Sequence, residues 1–240
     1  MRFDFISIFP QYFEPLKLSL IGKAQDKSLV EIGVHDLRDH ATNVHRQVDD
    51  TPYGGGAGMV MMPEVWGKAI DPLITKDSEL IILTPAGRRF NQRMAENLST
   101  ANHLIFACGR YEGIDDRVRQ YYVNSGYKVR EVSIGDYVLS GGEIASYVII
   151  DAILRNVKGV LGAEQSLEQE SFGNIENNEY EYLLEYPHYT RPANFLGKEV
   201  PAILLSGHHA NIEKWRKEKA EEITQKNRPD LYEKYLKSKK

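Results

Sequence analysis

Between two apolar segments the chain reads Ser133-Ile134-Gly135-Asp136-Tyr137-Val138-Leu139-Ser140-Gly141-Gly142, with three glycines around an aromatic and an aliphatic side chain. Glycine lets the backbone come within van der Waals distance of a ligand and adopt φ angles that other residues avoid. Loops of this kind present bare N–H and C=O groups to a flat, polar molecule. The run therefore predicts a binding loop rather than a hairpin turn.

Three related loops occur earlier in the chain, at Tyr53–Gly58, Thr84–Arg88 and Cys108–Gly113. Each of the last two follows an apolar run typical of a strand, and open α/β sheets bind ligands at the ends of such strands. Neither common phosphate-binding motif is present: the dinucleotide fingerprint lacks its third glycine at Gly56–Met61, and no Gly-x-x-x-x-Gly-Lys-Ser/Thr exists. By itself, the Gly54–Gly58 cluster indicates a structural turn more often than a ligand site.

Strand-like and helix-like runs alternate as far as residue 156, a pattern typical of βαβ units around a mostly parallel sheet. The predicted strands are Phe3–Ile8, Leu29–His35, Glu79–Thr84, His103–Ala107 and Tyr127–Ser133. The predicted helices are Gln11–Ala24, Pro63–Leu73, Asn91–Leu98, Ile114–Tyr122 and Glu143–Asn156. The last helix is apolar nearly all round, as expected where a helix is buried on several sides or lies at a subunit interface. The pattern predicts an α/β fold.

The composition changes after residue 156. Residues 159–178 are rich in Gly, Glu, Gln and Asn with little periodicity, which predicts a flexible linker. Two helical patterns follow, Ala210–Thr224 and Leu231–Leu236. We therefore divide the chain into an α/β domain (1–158), the linker (159–178) and a small, mainly helical domain (179–240).

The overall composition is that of a soluble globular protein: 240 residues, 42% of them hydrophobic, without an apolar stretch long enough to span a bilayer. The one cysteine, Cys108, excludes an intrachain disulfide framework and a Cys-rich zinc site. The first ten residues show no export signal. Together these features predict a cytoplasmic protein without a membrane partner.

The net charge of −4 conceals an asymmetry along the chain. Residues 211–240 carry 10 Lys or Arg against 6 Asp or Glu, whereas residues 161–186 carry seven glutamates and no Lys or Arg. A basic tail can attract phosphate despite a negative total charge. A solvated charged helix explains the same tail equally well.

Histidine and cysteine do not indicate metal or thiol chemistry. His35, His40 and His45 are five residues apart and His208 and His209 are adjacent, so neither set matches the i, i+4 spacing of helical zinc ligands. No metal site is therefore predicted from them. The cysteine that ends the strand at 103–107 is expected to be a buried small hydrophobe rather than a nucleophile.

Two charged residues are ambiguous on sequence grounds. Arg155 lies four residues after Asp151, so a structural i, i+4 ion pair explains it nearly as well as catalysis does. Glu170 lies in the acidic segment, where one more solvated carboxylate is the plain explanation.

Four long motifs favour the catalytic explanation of Arg155 and Glu170 over the structural one. They are HRQVDDTPYGGGAGM (45–59), CGRYEGID (108–115), SIGDYVLSGG (133–142) and PHYTRP (187–192). In this order, over nearly the whole chain, they closely resemble the bacterial tRNA (guanine-N1)-methyltransferases, the TrmD type of the SPOUT superfamily. The resemblance implies an α/β domain tied in a deep C-terminal trefoil knot, a small helical C-terminal domain and a homodimer with active sites between the subunits. Periodicity could not have suggested the knot, because threaded chains are very rare.

The resemblance also implies an S-adenosylmethionine site in the knot loops. Its expected residues are Pro85, Gly109, Glu112, Ile134, Gly135, Asp136, Tyr137, Val138, Leu139, Gly141 and Gly142. Backbone groups of a glycine-rich loop can bond an adenine edge while apolar side chains cover its faces, as in other cofactor pockets. Glu112 and Asp136 could interact with the positive end of the cofactor or bind a magnesium ion.

The family reaction transfers a methyl group to N1 of the guanine just 3′ of the tRNA anticodon. It needs a base for the N1 proton and a donor for charge that builds on O6. By the resemblance, Glu170 takes the position of the family's catalytic aspartate and Arg155 that of its partner arginine; a glutamate here departs from the usual pattern. The nearby Glu168 is the alternative base.

The same resemblance implies recognition of the anticodon stem-loop. The residues expected to contact the RNA are Arg46, Asp50, His188 and Arg191, together with the basic C-terminal helices. The target guanine is expected to be flipped out of the loop so that the base can reach it. Two other functions are weighed against this one: an RNA-binding module without efficient catalysis, because of Glu170, and a nucleotide phosphohydrolase, which the missing phosphate-binding motifs disfavour.

Overall fold

The computed structural model describes residues 1–161, 170–172 and 180–239. The chain divides into two compact units, Met1–Gly162 and Ala163–Lys240. Most of the predicted linker, 159–178, lies outside the described residues.

The first unit is built of strands and helices in alternation. Its strands are β1 (Arg2–Ser7), β2 (Glu31–Asp36), β3 (Asp49–Asp50), β4 (Val60–Met61), β5 (Ser78–Arg89), β6 (His103–Ala107) and β7 (Lys128–Ser133). Its α-helices are α1 (Ser19–Asp26), α2 (Pro63–Ile70), α3 (Gln92–Ser99), α4 (Asp116–Asn124) and α5 (Gly142–Leu154). Five strands form one sheet in the order β2-β1-β6-β5-β7, and every neighbouring pair is parallel. The predicted α/β architecture with a parallel sheet is confirmed.

Both faces of this sheet are covered, because alternate residues of each strand point to opposite sides. In β6, Leu104 and Phe106 join a buried cluster that includes Ile149 and Ile153 of α5. Ile105 of the same strand joins a second buried cluster, with residues of α2 and α4. Burial on both faces explains why the central strands β5 and β6 contain continuous apolar runs, Leu80–Leu83 and Leu104–Ala107, rather than an alternation of apolar and polar residues.

Two predictions about element boundaries were wrong. The single helix expected at 11–24 is a 3-10 helix, Pro10–Lys17, followed by α1, with Leu18 extended at ψ 163° between them. Pro15 lies inside the 3-10 helix, where it lacks an N–H and its ring disfavours a continuous α-helix. The loop expected at 84–88 belongs to β5, whose pairing with β7 resumes after an irregularity between Leu83 and Arg88.

A polar cluster formed by side chains of β1, β2 and β6 surrounds Asp4 of β1. The carboxylate of Asp4 is fully buried and accepts hydrogen bonds from Arg2 (2.7 Å), His35 (2.7 Å) and His103 (2.6 Å). Burial alone would raise the pKa of Asp4, but the bonds from the two histidines and the arginine hold that pKa well below its usual range. His35, one of the histidines weighed as a metal ligand, therefore has a structural role.

The described part of the second unit contains a short hairpin, a 3-10 helix (Ala202–Leu205) and two α-helices. The hairpin strands are β8 (Asn194–Phe195) and β9 (Lys198–Glu199), and the α-helices are α6 (His209–Asn227) and α7 (Pro229–Ser238). Both predicted C-terminal helices are present and are longer than predicted. Leu183, Ala220 and Tyr235 are buried in its small core, and the Thr224 hydroxyl accepts a hydrogen bond from the Leu184 N–H at 2.7 Å.

Candidate cofactor site at the carboxyl edge of the sheet

A cavity of about 300 Å³ lies at the carboxyl ends of β5, β6 and β7. Its wall comprises residues 82–85, 109–116, 131–135 and 137–142, together with Arg119 and Ala145. This volume is at the lower end of the range for small-molecule sites, roughly 300 to 1,000 Å³. The position agrees with the general rule that open α/β sheets bind ligands beyond the carboxyl ends of their strands.

The loop from β7 to α5 is held against the end of β6 by backbone contacts. The N–H of Gly142 donates to the carbonyl of Gly109 at 2.9 Å, and Arg110 and Gly141 form an isolated antiparallel bridge. A Cβ atom on Gly142 would lie 2.8 Å from the Cα atom of Cys108. Only glycine permits this close approach of the two backbones, which explains why position 142 is a glycine.

The structure places ten of the eleven expected cofactor residues in the cavity wall. They are Pro85, Gly109, Glu112, Ile134, Gly135, Tyr137, Val138, Leu139, Gly141 and Gly142. Asp136 is the exception: its side chain is 89% exposed and lies 3.4 Å from Arg89, outside the wall. The structure therefore does not bring Asp136 together with Glu112. The two carboxylates were expected to interact jointly with the positive end of the cofactor or with a magnesium ion. The glycine loop at 53–58 joins β3 to β4 and contributes no described residue to the wall.

The wall also carries charged residues that sequence reasoning missed, including Asp115, Asp116, Arg119 and Glu131. A side-chain hydrogen bond from Arg117 lowers the pKa of Asp115, and one from Arg119 lowers the pKa of Asp116. Both carboxylates are therefore charged at neutral pH. Asp115 also caps α4 by accepting from the Arg117 N–H at 2.9 Å, and this N-cap position after Gly113 was a signal available in the sequence.

A buried ion pair borders the same wall. Glu143, the second residue of α5, is fully buried and accepts a hydrogen bond from the Ser7 hydroxyl at 2.5 Å. Arg110, which lines the cavity, places its Nε atom 3.1 Å from Oε2 and 3.2 Å from Oε1 of Glu143. Neither residue of this pair was expected from the sequence.

Cys108 lies beneath this region and is fully buried. Burial, and secondarily the charge of Glu143, raise the pKa of the Cys108 thiol far above neutrality. The thiol is therefore protonated and unreactive, in agreement with the structural role predicted for it.

The two expected catalytic residues belong to different units. Arg155 is the C-cap of α5, and its N–H donates to the carbonyl of Asp151 at 3.4 Å. Glu170 is half-buried and precedes Ser171, whose hydroxyl accepts a hydrogen bond from the Glu185 N–H at 2.9 Å. Glu168, the alternative base, lies outside the described residues.

The four expected RNA-binding residues are all exposed. Arg46 is paired with Asp39, and His188 lies 2.8 Å from Glu185. Asp50 is in β3, and its carboxylate accepts from the Thr51 N–H at 2.7 Å. An ion pair as exposed as that of Arg46 and Asp39 stabilises a protein by only about 0 to 1 kcal/mol.

Among the described residues, no group of three or more His, Cys, Asp or Glu side chains is arranged to hold a metal ion. Within that same part of the chain, no helix has the length and apolar character needed to cross a membrane.

Comparison with known proteins agrees with the geometry of the site. A family model described as tRNA (Guanine-1)-methyltransferase TrmD matches residues 1–234. Proteins named tRNA (guanine-N(1)-)-methyltransferase are similar from end to end. The one from Nocardia farcinica is 51% identical over 96% of both chains, and the one from Dictyoglomus turgidum is 52% identical over 98% of this chain and 91% of its own. With the match extending over residues 1–234 and about half of all positions identical, this chain belongs to the tRNA (guanine-1)-methyltransferase TrmD family.

Proposed function

We propose that the chain transfers the methyl group of S-adenosylmethionine to N1 of the guanine immediately 3′ of a tRNA anticodon, a modification that helps maintain the reading frame. The observation that carries the proposal is the cavity at the carboxyl edge of the sheet, in a chain that belongs to this family of methyltransferases. Membership of the family indicates the reaction, and the cavity is a site that can hold the methyl donor.

The cavity wall suits that donor. Ile134, Tyr137 and Leu139 offer apolar surface to an adenine ring, and the glycine backbones around them offer hydrogen-bonding groups to its edge. The carboxylates of Glu112, Asp115 and Asp116 line the same cavity and attract a positively charged ligand such as a sulfonium. When bound, S-adenosylmethionine supplies an electrophilic methyl group.

Glu170 and Arg155 are the proposed catalytic pair. Glu170 removes the proton from guanine N1, which carries it at neutral pH, and Arg155 donates hydrogen bonds to O6 as negative charge builds there. The proposal is supported by the family resemblance, which aligns Glu170 with the catalytic aspartate and Arg155 with its partner arginine. It is also supported by the location of Arg155 at the end of α5, the helix whose first turn borders the cavity.

The RNA contacts are proposed for Arg46, Asp50, His188 and Arg191. Their exposure supports this role, as do the basic residues of α6 and α7. Contacts of Lys and Arg with the phosphate backbone position an RNA, whereas contacts with an unstacked base identify it. The target guanine must leave its stack for Glu170 to reach N1.

A homodimer is proposed because the first unit exposes a contiguous apolar face. Ile144 and Val148 of α5 are 50% and 47% exposed, and Phe9 and Tyr12 are 39% and 42% exposed. Tyr147 joins the two groups, since its hydroxyl donates to the carbonyl of Tyr12 at 2.8 Å. Exposed patches of this kind mark protein interfaces, and the proposed occupant is a second copy of the chain.

Replacing Val148 with Glu should split this dimer, because a charge would then be buried against an apolar partner surface. Sedimentation equilibrium should give the mass of a dimer for the wild-type protein and of a monomer for the variant. Val123→Glu is the matched control, since Val123 is 46% exposed in α4, outside this face. Equal dimer masses for all three proteins would contradict the assignment of the face.

We also propose the trefoil knot and a C-terminal domain that binds RNA. Support for the knot comes from contacts that gather three segments: Arg89 pairs with Ser133, the Phe90 N–H donates to the Ser133 carbonyl at 2.7 Å, and Gly142 bonds Gly109. A crystallographic trace of the whole chain that comes free of knots when its ends are pulled apart would contradict this assignment.

The function is tested by incubating the protein with methyl-labelled S-adenosylmethionine and an unmodified tRNA that has guanine 3′ of the anticodon. A tRNA with adenine at that position is the control. Label on N1 of the guanine, in the first RNA alone, is the expected result. Cofactor binding without label would favour an RNA-binding module instead, and a parallel reaction with a chelator determines whether magnesium is required.

A further inference from the structure

The carboxylate of Glu143 joins three segments of the first unit. Ser7, which donates to it, ends β1; Arg110, its ion-pair partner, follows β6; and Glu143 itself begins α5. These segments are far apart in the sequence, and two of them border the cofactor cavity. A single side chain therefore sets the spacing between the first strand and two walls of the cavity.

The burial of the Glu143 carboxylate has an unfavourable free energy. Glu143 is fully buried, and its Oε2 atom has no hydrogen bond although the Nε atom of Arg110 is 3.1 Å away. Buried ion pairs are often no more stabilising than well-packed apolar side chains of similar volume. A stabilising role alone therefore gives little reason for an ion pair at this position, and an incompletely satisfied buried atom calls for an explanation.

Arg110 connects this pair to the cavity. Its side chain is 13% exposed and lines the cavity, and its guanidinium carbon lies 4.7 Å from the Phe9 ring centre and 5.2 Å from that of Tyr12. Two aromatic rings and one carboxylate thus determine where the guanidinium lies.

The ion pair packs directly on the cofactor loop. A Cβ atom on Gly141 would lie 2.3 Å from the Nε atom of Arg110 and 2.5 Å from the Oε2 atom of Glu143. Because Gly141 and its neighbour Gly142 line the cavity, any movement of the pair changes the position of the backbone that forms the wall. Binding sites tolerate only about 0.5 Å of such displacement before their function suffers.

We infer that Glu143 is a positioning residue for methyl transfer, which acts through Arg110 and Gly141 to hold the cofactor loop at its working distance from the end of β6. The inference rests on the proposed function, because it concerns the same cavity. Glu143 touches neither the cofactor nor the RNA in this role. Its effect is expected on cofactor affinity and on the rate of the chemical step.

Glu143→Asp tests the inference, because it keeps the charge and withdraws the carboxylate by one methylene. Glu79→Asp is the matched control: Glu79 pairs with Arg130 at 2.5 Å in the same sheet and has no part in the cavity wall. The dissociation constant of S-adenosylhomocysteine, the single-turnover rate of methyl transfer and the affinity for tRNA are measured for both variants, below the unfolding temperature of each.

For Glu143→Asp, a dissociation constant at least about tenfold higher and a single-turnover rate up to about 100-fold lower are expected, as a misplacement of about 1 Å can cause. Affinity for tRNA should be unchanged, and Glu79→Asp should match the wild type in all three measurements. Ser7→Ala removes no charge, but it removes the hydrogen bond to Glu143 and the one that the Ser7 hydroxyl accepts from the Phe9 N–H. It should shift the same two quantities in the same direction by less.

Wild-type values for both Glu143→Asp and Ser7→Ala would overturn the inference, as would an equal loss in Glu79→Asp, which would indicate a general effect of shortening a glutamate. If Glu143→Asp does not fold, Ser7→Ala decides the matter by itself. Failure of the wild-type protein to bind S-adenosylhomocysteine is a separate outcome, and it would count against the proposed function rather than against the role of Glu143.

Discussion

Glu170→Gln is expected to lower the single-turnover rate of methyl transfer by about 10²- to 10⁴-fold, the usual contribution of a general base. The amide has nearly the shape of the carboxylate but cannot accept the N1 proton at neutral pH. Affinity for S-adenosylhomocysteine should stay at the wild-type value, because Glu170 is not among the residues that line the cavity. Binding by calorimetry and rapid-quench kinetics with labelled cofactor measure the two quantities.

Glu170→Asp is the matched control for this prediction. It keeps the base and introduces the residue that the family resemblance leads one to expect, so it should retain far more activity than Glu170→Gln. A similar loss in both variants would indicate that the side chain is needed for its position or its packing rather than for proton transfer. Full turnover by Glu170→Gln would falsify the assignment, and Glu168→Gln would then identify the neighbouring carboxylate as the base.

Gly142→Ala is expected to abolish measurable binding of S-adenosylhomocysteine. The added methyl group would meet the Cα atom of Cys108 at 2.8 Å and the side chain of Leu83 at 3.2 Å. The Cα atom belongs to backbone at the end of a central strand and cannot yield, so the cofactor loop has to move away. Overpacking of this kind typically lowers the free energy of unfolding by about 1 to 3 kcal/mol.

Gly67→Ala separates this effect from a general cost of replacing glycine. Gly67 lies in α2, where an added Cβ atom would have no neighbour within 4 Å. Because alanine favours a helix by about 1 kcal/mol over glycine, this variant should be at least as stable as the wild type. Urea denaturation and calorimetry compare the proteins. Wild-type cofactor affinity in Gly142→Ala would show that the loop does not depend on this close approach.

Much of the first unit could be predicted because its signals are local. The strand expected at His103–Ala107 is observed with those bounds, since a run buried on both faces of a sheet is mostly apolar and the glycine-containing segment Gly109–Gly113 follows soon after it. By contrast, the continuation of β5 to Arg89 depends on pairing with Val132 and Ser133 in β7. The sequence of β5 itself does not indicate pairing with residues so distant in the chain.

Part of the candidate site could also be predicted. Most residues of the glycine-rich segments at 109–113 and 133–142 line one cavity, and the four motifs led to the family that the comparison confirmed. The exposure of the Asp136 side chain could not be predicted from the sequence. The direction of a loop side chain depends on the backbone conformation, which the residue types of the loop do not specify. The catalytic and RNA-binding assignments remain predictions.

The sequence by itself determined the alternation of strands and helices, the positions of the glycine-rich loops and the family of the chain, because apolar periodicity, glycine and long motifs are properties of neighbouring residues. Only the tertiary structure decided which loops form one cavity, and that Ser7, Arg110 and Glu143 meet beside it. Those contacts join residues up to 136 positions apart, and their energy depends on distances that exist only after the strands have paired in one order and register.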